Sequence, residues 1–514
     1  MQAAEALIRT AAAGGVELCL ANPGTTEMPV VAALDRVTGL RAVLGLHETV
    51  VTGAADGYAR MAGKPALTLL HLGPGFANGI ANLHNARRAR SPLINLIGEH
   101  ATWHLEADAP LACDIESLAA PVSGWVRRSA SAKSLADDMA EALSAAQSEG
   151  GQVASLILPH DLQMAEVAGA GEPHPTPAIP PVEERRIEAA AQALDGAQSA
   201  LLLGGAATQE PGLTAAGRIA AATGCVLLAA RPSARLERGA GRPILTAVPY
   251  LPEQASALFE RFRSVVLAGA SEPVTFFGWE GFPSRMIPDD RETHRLAGPT
   301  EDVAGALEAL AERLGAPASP EVSSEVIRPD PPEGPLSADS VCRALALLQP
   351  EDAIIVDEAI SSGWSYQDHA RAAPRFTQLS ITGGAIGMGL ACAVGAALAC
   401  PARKVLVLQA DGSGLYDPQA LWTQAREGLD VITLVCANRA YRVLQMELQR
   451  AGLNQLGANA AALTDLDRPT IDWVHLAKGF GVPAVRVDSG ETLIEALARA
   501  IAEPGPSLIE AVIR

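Results

Sequence analysis

The sequence predicts an α/β protein built as three successive doubly wound parallel-sheet domains. Three observations carry that prediction. Short apolar runs that do not alternate with polar residues, each followed by Gly or Asn and then a helical pattern, read as strands buried on both faces of parallel sheets. Two stretches dense in Pro and Gly, residues 168–184 and 315–336, break that pattern and read as linkers. The length of 514 residues, at roughly 150 per domain, accommodates three cores, and 48% hydrophobic residues are enough to fill them.

The elements follow in order along the chain. MQAAEALIRTAAAGG is an amphipathic helix pattern carrying Glu5 and Arg9, without the basic head and apolar core of a leader. No run of 18 apolar residues follows, so a cytoplasmic protein is expected. Residues 1–167 hold the strand runs VELCLAN, ALTLLHL and PLINLIG; residues 185–314 hold ALLLGG and SVVLAGA; residues 337–514 hold AIIVDE, KVLVLQA and VITLVCAN. Lys and Arg number 39 against 58 Asp and Glu, a formal charge of −19 that argues against nucleic acid or anionic membrane as partner. Seven cysteines are scattered singly, which fits reduced thiols better than disulfides or a zinc cage.

Ligands of open parallel sheets bind at the carboxyl ends of strands, so those loops are where chemistry is expected. In residues 404–441 one strand ends in Ala410-Asp411-Gly412-Ser413, Asp417-Pro418 reads as an N-cap and first helical residue, and the next strand ends at Ala437-Asn438. Adjacent parallel strands place Asp411 and Asn438 side by side. A carboxylate and an amide oxygen are hard ligands suited to Mg²⁺ with phosphate oxygens, and backbone N–H groups around Gly412 and Ser413 can hold those phosphates. An ordinary βα turn with a solvated aspartate has the same spacing.

Glu48 follows Leu46-His47 and opens a helix whose face carries Val51, Ala54, Ala55 and Tyr58. Its carboxylate is expected beside apolar packing, a setting suited to proton exchange. The alternative is a charge that interacts only with the helix dipole. Val51 stands where a zincin needs its second histidine, which excludes that site. In residues 66–83 a strand runs into His71 and Gly73-Pro74-Gly75; with Gly79 the spacing is G-x-G-x-x-x-G, which is not the dinucleotide fingerprint. His71 taken alone reads as a buried, hydrogen-bonded core histidine sooner than as a functional one. The glycines between Thr382 and Gly389 allow close backbone approach to a ligand or to a helix.

Taken together, these segments resemble thiamine-diphosphate-dependent enzymes of the benzoylformate decarboxylase, acetolactate synthase and pyruvate decarboxylase group, over nearly the whole chain. The most specific motif is G-D-G with a downstream Asn, present as Ala410-Asp411-Gly412 and Asn438, with Ala410 in place of the first glycine. The resemblance implies a pyrimidine-binding domain at 1–167, a middle domain without flavin at 185–314 and a diphosphate-binding domain at 337–514. It implies that Asp411, Asn438 and the backbone oxygen of Ala440 ligate Mg²⁺. Ser361, Ser362, Gly412, Ser413 and Tyr441 would line the diphosphate site. The Gly384 carbonyl would hold the exocyclic amine of the pyrimidine, Ile386 would bend the cofactor, and Glu48 would bond the ring and promote loss of the thiazolium proton. Glu48 of one subunit and Asp411 of another share a site by this resemblance, which implies a homodimer at least and points to a homotetramer.

His71, ahead of Ser91-Pro92-Leu93, resembles the acid/base histidine of benzoylformate decarboxylase, and Thr25 stands where that enzyme has a serine near the substrate carboxylate. A second histidine expected in the middle domain is absent, because Pro273-VTFFGWEG presents Gly278 and Trp279 there. Gly98-Glu99-His100 departs from the Gly-Gln of acetolactate synthases. The implied activity is decarboxylation of a small 2-oxo acid, followed by protonation to an aldehyde or carboligation to an acyloin. The alternative is a thiamine-diphosphate-binding homologue without decarboxylase activity. A nucleotide-dependent dehydrogenase is poorly supported, since no G-x-G-x-x-G opens a helix with an acidic residue about 20 positions on. Thr26, Phe76, Trp103, Trp364, Leu444 and Leu448 are candidate pocket residues by position.

Overall fold

The computed structural model describes residues 1–320 and 322–514; residue 321, in the second expected linker, lies outside the described residues. Each apolar run singled out above forms a strand. The N-terminal sheet contains β1 (Leu18–Asn22), β2 (Arg41–Leu44), β3 (Ala66–Leu70), β4 (Leu93–Glu99), β5 (Trp125–Arg128) and β6 (Val153–Pro159). All are parallel, in the order β2-β1-β3-β4-β6-β5. Every residue of β3, β4 and β6 is buried, which explains why these runs are continuously apolar. Because β1 has β2 on one side and β3 on the other, the winding reverses between β1 and β3, the crevice where doubly wound sheets take their ligands.

The remaining strands are β7 (Ser199–Leu203), β8 (Val226–Ala229), β9 (Leu236–Arg238), β10 (Thr246–Ala247), β11 (Ser264–Ala268), β12 (Glu292–Ala297), β13 (Ala353–Glu358), β14 (Phe376–Ser380), β15 (Val405–Ala410), β16 (Val431–Ala437), β17 (Ala484–Val487) and β18 (Ser507–Val512). Packing groups the chain into two compact units. One is Met1–Pro177 with Arg328–Ala370 and Gly383–Arg514; the other is Ala178–Ile327 with Arg371–Thr382.

The first unit holds the N-terminal sheet and a second parallel sheet in the order β17-β18-β16-β15-β13. Inside it, the helix Glu48–Ala62 lies against the wholly apolar helix Gly389–Ala399. Their backbones approach so closely that a Cβ on Gly57 would overlap the Cys392 carbonyl and one on Gly395 would overlap the Ala54 carbonyl. The second unit is a parallel sheet in the order β10-β8-β7-β11-β12 with apolar clusters on both faces, plus the antiparallel pair of β9 and β14. Among the described residues, no helix is long and apolar enough to cross a membrane.

One local expectation is corrected. Asp417 does not cap the following helix, which runs from Ala420 to Glu427 with Gln419 before it. A short 3-10 turn over Ser413–Tyr416 delays the helix, and the Asp417 carboxylate turns into the core to accept the N–H of Ala391 at 2.8 Å, in the first turn of the Gly389 helix.

Candidate active site

At the N-terminal switch point, the loop after β1 and the residue after β3 meet. His71 precedes the helix Leu72–Ala89, and its Nδ1 lies 2.8 Å from Oε2 of Glu27. Glu27 is 1% exposed; its Oε2 also accepts the Gly24 N–H at 2.6 Å, and its Oε1 accepts the Thr26 hydroxyl. Two glycines make the pairing possible. A Cβ on Gly24 would overlap the His71 ring, and one on Gly98, near the end of β4, would overlap Glu27 Oε1. The backbone oxygen of Thr26 also lies 3.1 Å from His160 Nδ1. A buried carboxylate thus holds one ring nitrogen of a partly exposed histidine and leaves the other for proton exchange.

Glu48 begins its helix immediately after His47, whose ring caps the Thr49 N–H at 3.2 Å. The Glu48 side chain is buried, its Oε2 accepts from Asn78 Nδ2 at 3.0 Å, and its Oε1 lies over Gly75, where a Cβ would come within 2.9 Å.

The C-terminal half of the site forms at the carboxyl ends of β13, β15 and β16. The register Ala410 opposite Cys436 brings the two following loops together, and Asp411 Oδ2 accepts the Arg439 N–H at 2.6 Å while Oδ1 accepts the Gly412 N–H at 2.9 Å. Asn438 Oδ1 accepts the Ala440 N–H at 2.9 Å. Asp411 is 2% exposed, and burial pushes its carboxyl up to about 6 against these two N–H groups. The guanidinium of the adjacent Arg439 pairs instead with Asp467 at 3.2 Å. The Tyr441 ring lies on Gly412, where a Cβ would stand 2.5 Å from Cε1. Burial and a hydrogen bond with Tyr416 raise the Tyr441 phenol above its ordinary value. Tyr416 in turn packs on Gly387, so the Gly383–Gly387 loop and the Gly412 loop border one another.

Ser361 and Ser362 lie in the 3-10 turn after β13, Ser362 buried and its carbonyl 3.2 Å from Cys342 Sγ. The Ser413 hydroxyl is committed inward, accepting from Gln409 Nε2 at 2.7 Å and facing the carbonyls of Glu358 and Ala410; its backbone remains for a ligand. Gly384 has φ +77°, a conformation that favours glycine, and Ile386 follows in the same loop.

The structure therefore gathers Asp411, Gly412, Ser413, Asn438, Ala440 and Tyr441 in one place, and sets Glu48 and His71 after β2 and β3, the two strands that flank β1. Among the described residues, no hydrogen bond joins Glu48 to the Asp411 loop. Thr25 is exposed, and it is Thr26 whose hydroxyl sits at the Glu27–His71 pair, 3.5 Å from Nδ1. Phe76 is fully buried in the core, whereas Trp103, Trp364 and Leu444 are exposed. In the second unit, the segment at 273–280 presents aromatic side chains, with Phe276 and Phe277 exposed and Trp279 stacked edge-on to Phe277 at 5.8 Å.

Sequence reasoning missed three carboxylates. Glu27 is one. Glu358 at the end of β13 is another: it is fully buried and accepts the N–H groups of Gly387, Met388 and Gly389 at 2.8, 3.0 and 2.9 Å, and Gln409 Nε2 at 2.9 Å. The third is the inward-turned Asp417. Burial raises both Glu358 and Asp417, and the Glu358 charge raises Asp417 further.

The family description "Thiamine pyrophosphate enzyme, N-terminal TPP binding domain" matches residues 1–118, and "Thiamine pyrophosphate enzyme, C-terminal TPP binding domain" matches residues 361–511. A Mycobacterium tuberculosis protein provisionally named an acetolactate synthase large subunit is 47% identical over 515 residues, covering 100% of this chain and 99% of its own. Benzoylformate decarboxylase of Pseudomonas aeruginosa is 28% identical over 531 residues, 96% of each chain. Among solved structures, the Rhodococcus jostii thiamine diphosphate-dependent 4-hydroxybenzoylformate decarboxylase shares the fold, with a TM-score of 0.88 at 22% identity over 100% of this chain and 99% of that one.

Proposed function

The chain belongs to the thiamine pyrophosphate enzyme family, and from that premise we propose that it decarboxylates a small 2-oxo acid, releasing an aldehyde or joining the remaining acyl unit to a second carbonyl as an acyloin. The observation that carries this reading is the buried Glu27 carboxylate holding Nδ1 of His71 at the N-terminal switch point, with Nε2 left to exchange a proton.

The residues fit the cofactor and its metal. Asp411 is a buried carboxylate raised by burial and facing no cationic side chain, as a cation ligand would be, and Asn438 and the Ala440 carbonyl complete a hard-oxygen set for Mg²⁺. Gly412, with Tyr441 lying on it, would face the diphosphate, and Ser361 and Ser362, in the turn after the neighbouring strand β13, would contact the same phosphates. When bound, thiamine diphosphate supplies a sink for the electron pair released when the bond between carbonyl carbon and carboxylate breaks. Glu48, steadied by Asn78 on one oxygen, presents the other to the pyrimidine ring and holds a proton there. The Gly384 carbonyl and Ile386 would hold the pyrimidine end of the cofactor. His71 would return a proton from Nε2 to the carbon that lost CO₂ when an aldehyde leaves, and the Thr26 hydroxyl, 3.5 Å from Nδ1, is the hydroxyl placed beside it for the substrate carboxylate, rather than that of the exposed Thr25. A homodimer that pairs Glu48 with a second chain's Asp411, or a homotetramer of two such pairs, is the assembly this reading requires.

A second reading, a homologue that binds the cofactor without decarboxylating, is favoured by one observation: the segment at 273–280 carries aromatic residues and no histidine. CO₂ release from pyruvate, branched and aryl 2-oxo acids, with thiamine diphosphate and Mg²⁺ supplied, tests both. Release that depends on both additions and is abolished in Glu48→Gln supports the decarboxylase. Silence across the panel with cofactor bound supports the second reading, and turnover by Glu48→Gln within tenfold of the parent overturns the role of Glu48.

A further inference from the structure

The Gly383–Gly387 loop has no regular secondary structure, and both Gly384 and Gly387 lie at positive φ, so nothing in its own backbone fixes its carbonyls. Side chains fix them: His84 Nε2 lies 3.1 Å from the Gly383 carbonyl, Glu358 accepts the Gly387 N–H, and a row of asparagines holds the rest. Asn78, Asn82 and Asn85 occupy positions i, i+4 and i+7 of the helix Leu72–Ala89 and so share one face. Asn78 donates to Glu48 Oε2. Asn82 Nδ2 donates to the Thr49 carbonyl at 3.0 Å and to the Gly387 carbonyl at 2.9 Å. Asn85 is fully buried; its Oδ1 accepts the N–H groups of Gly383 at 3.0 Å and Ala385 at 3.3 Å, and its Nδ2 donates to the Ala385 carbonyl at 2.8 Å and to Asn82 Oδ1 at 3.0 Å.

We propose that Asn82 and Asn85 are positioning residues that aim the Gly384 carbonyl and Ile386 at the pyrimidine end of the cofactor held by the same chain's Asp411 loop. The inference rests on the reading that Gly384 and Ile386 hold that ring. The geometric step is short. The Gly384 carbonyl and the Ala385 N–H belong to one planar, trans peptide unit, so they point in opposite directions. Pinning that N–H on Asn85 Oδ1 turns the Gly384 carbonyl away from the asparagine helix. The second bond to Ala385, through its carbonyl, stops the loop rotating about the first. A carboxamide is the one uncharged side-chain group that accepts and donates in this paired manner. Asn82 then ties the far end of the loop, and the helix that carries Glu48, to the same row.

The test separates the two ends of the cofactor. Thiamine diphosphate and inorganic pyrophosphate are titrated calorimetrically, each with Mg²⁺, into the full-length protein, and the unfolding midpoint of the cofactor-free protein is recorded. Asn85→Ala is expected to weaken thiamine diphosphate at least tenfold and leave pyrophosphate within twofold. Asn82→Ala is expected to do the same to a smaller degree. Asn95→Ala removes an equally buried amide bonded to Thr68 and Ser155 within the N-terminal sheet, and should lower the midpoint without changing either affinity. Should Asn85→Ala fail to fold, Asn85→Asp keeps the acceptor for both N–H groups but sets an oxygen against the Ala385 carbonyl, and the same selective loss is expected. Equal weakening of both ligands, or no weakening of thiamine diphosphate, overturns the proposal. If the unaltered protein binds thiamine diphosphate no more tightly than pyrophosphate, the failure lies in the roles given to Gly384 and Ile386.

Discussion

Asp411 allows a prediction with a worked magnitude. In the cation-free protein, burial pushes its carboxyl up to about 6 from an ordinary 3.8. A divalent cation must displace that proton, so its affinity should be flat above pH 6 and fall about tenfold for each pH unit well below it. Between pH 7 and pH 5 the expected loss is about tenfold, or about 1.4 kcal/mol. Stability responds in the opposite sense. Because the folded-state value lies above the unfolded one, the contribution of Asp411 is fully present below 3.8 and is lost as pH rises through about 6. At about 1.36 kcal/mol per pH unit, the ionised carboxylate costs the cation-free fold about 3 kcal/mol at pH 8, and about half of that is still to be lost above pH 5. Asp411→Asn removes this cost but sets an amide N–H against one of the two backbone N–H groups, a penalty of about 1–3 kcal/mol that does not vary with pH. The stability of the variant relative to the parent should therefore improve by about 1.5 kcal/mol from pH 5 to pH 8, whatever its offset. Mg²⁺ is titrated by tryptophan fluorescence with thiamine diphosphate present, dividing out the pH dependence of Mg²⁺ binding to the free cofactor, and both cation-free proteins are unfolded in urea. A Mg²⁺ affinity that changes less than twofold between pH 7 and pH 5, or a relative stability that does not move with pH, refutes the reasoning.

Three further outcomes are expected. Gly98→Ala places a methyl on Glu27 Oε1 and should misalign the Glu27–His71 pair, lowering turnover tenfold or more, about 1.4 kcal/mol. Thiamine diphosphate affinity should stay within twofold, and a parallel loss of affinity would contradict the assignment. Gly412→Ala drives a methyl to 2.5 Å from the Tyr441 ring; overpacking of about 1–3 kcal/mol should weaken thiamine diphosphate about 5- to 150-fold, and an unchanged dissociation constant would remove this loop from the diphosphate site. Asp417→Asn keeps an acceptor for the Ala391 N–H but cannot ionise beside Glu358. Asp417 has a folded-state value raised above its ordinary 3.8, so its contribution is present below that pH and lost as pH rises; the unfolding midpoint of the variant should gain on the parent as pH rises above about 4, and a difference constant across the whole pH range would count against the buried pair.

What was legible in the sequence followed from burial. Runs such as ALTLLHL and VITLVCAN declare themselves because strands covered on both faces cannot alternate, and the juxtaposition of Asp411 and Asn438 was legible because neighbouring parallel strands bring their loops together. Asp417-Pro418 has the signature of a helix start, yet a buried carboxylate needs donors more than the following helix needs a cap, and the Ala391 N–H supplied one. Thr25 and Thr26 differ by one step in a 3-10 turn, and only the turn's geometry decides which hydroxyl meets His71. Glu358, Asn82 and Asn85 left no trace because their partners lie 29 to 31 and about 300 residues away along the chain.

The two departures from the family pattern carry different weight once the backbone is considered. Ala410 replaces a glycine, but it is a strand residue in register with Cys436, and it is not among the residues at positive φ. No glycine freedom is needed there; the demand falls on Gly412, which must leave room for Tyr441. The absent middle-domain histidine is another matter, because no change of backbone supplies a proton. In the N-terminal half, His71 alone combines a buried carboxylate on Nδ1 with a partly exposed ring. On the proposed route to an aldehyde, in which His71 delivers the proton to carbon, Glu27→Gln should depress aldehyde release more than it depresses carboligation to an acyloin, in which the acceptor carbonyl takes the place of the proton on carbon. A product ratio unchanged by Glu27→Gln would show that the pair orients substrate without handling that proton.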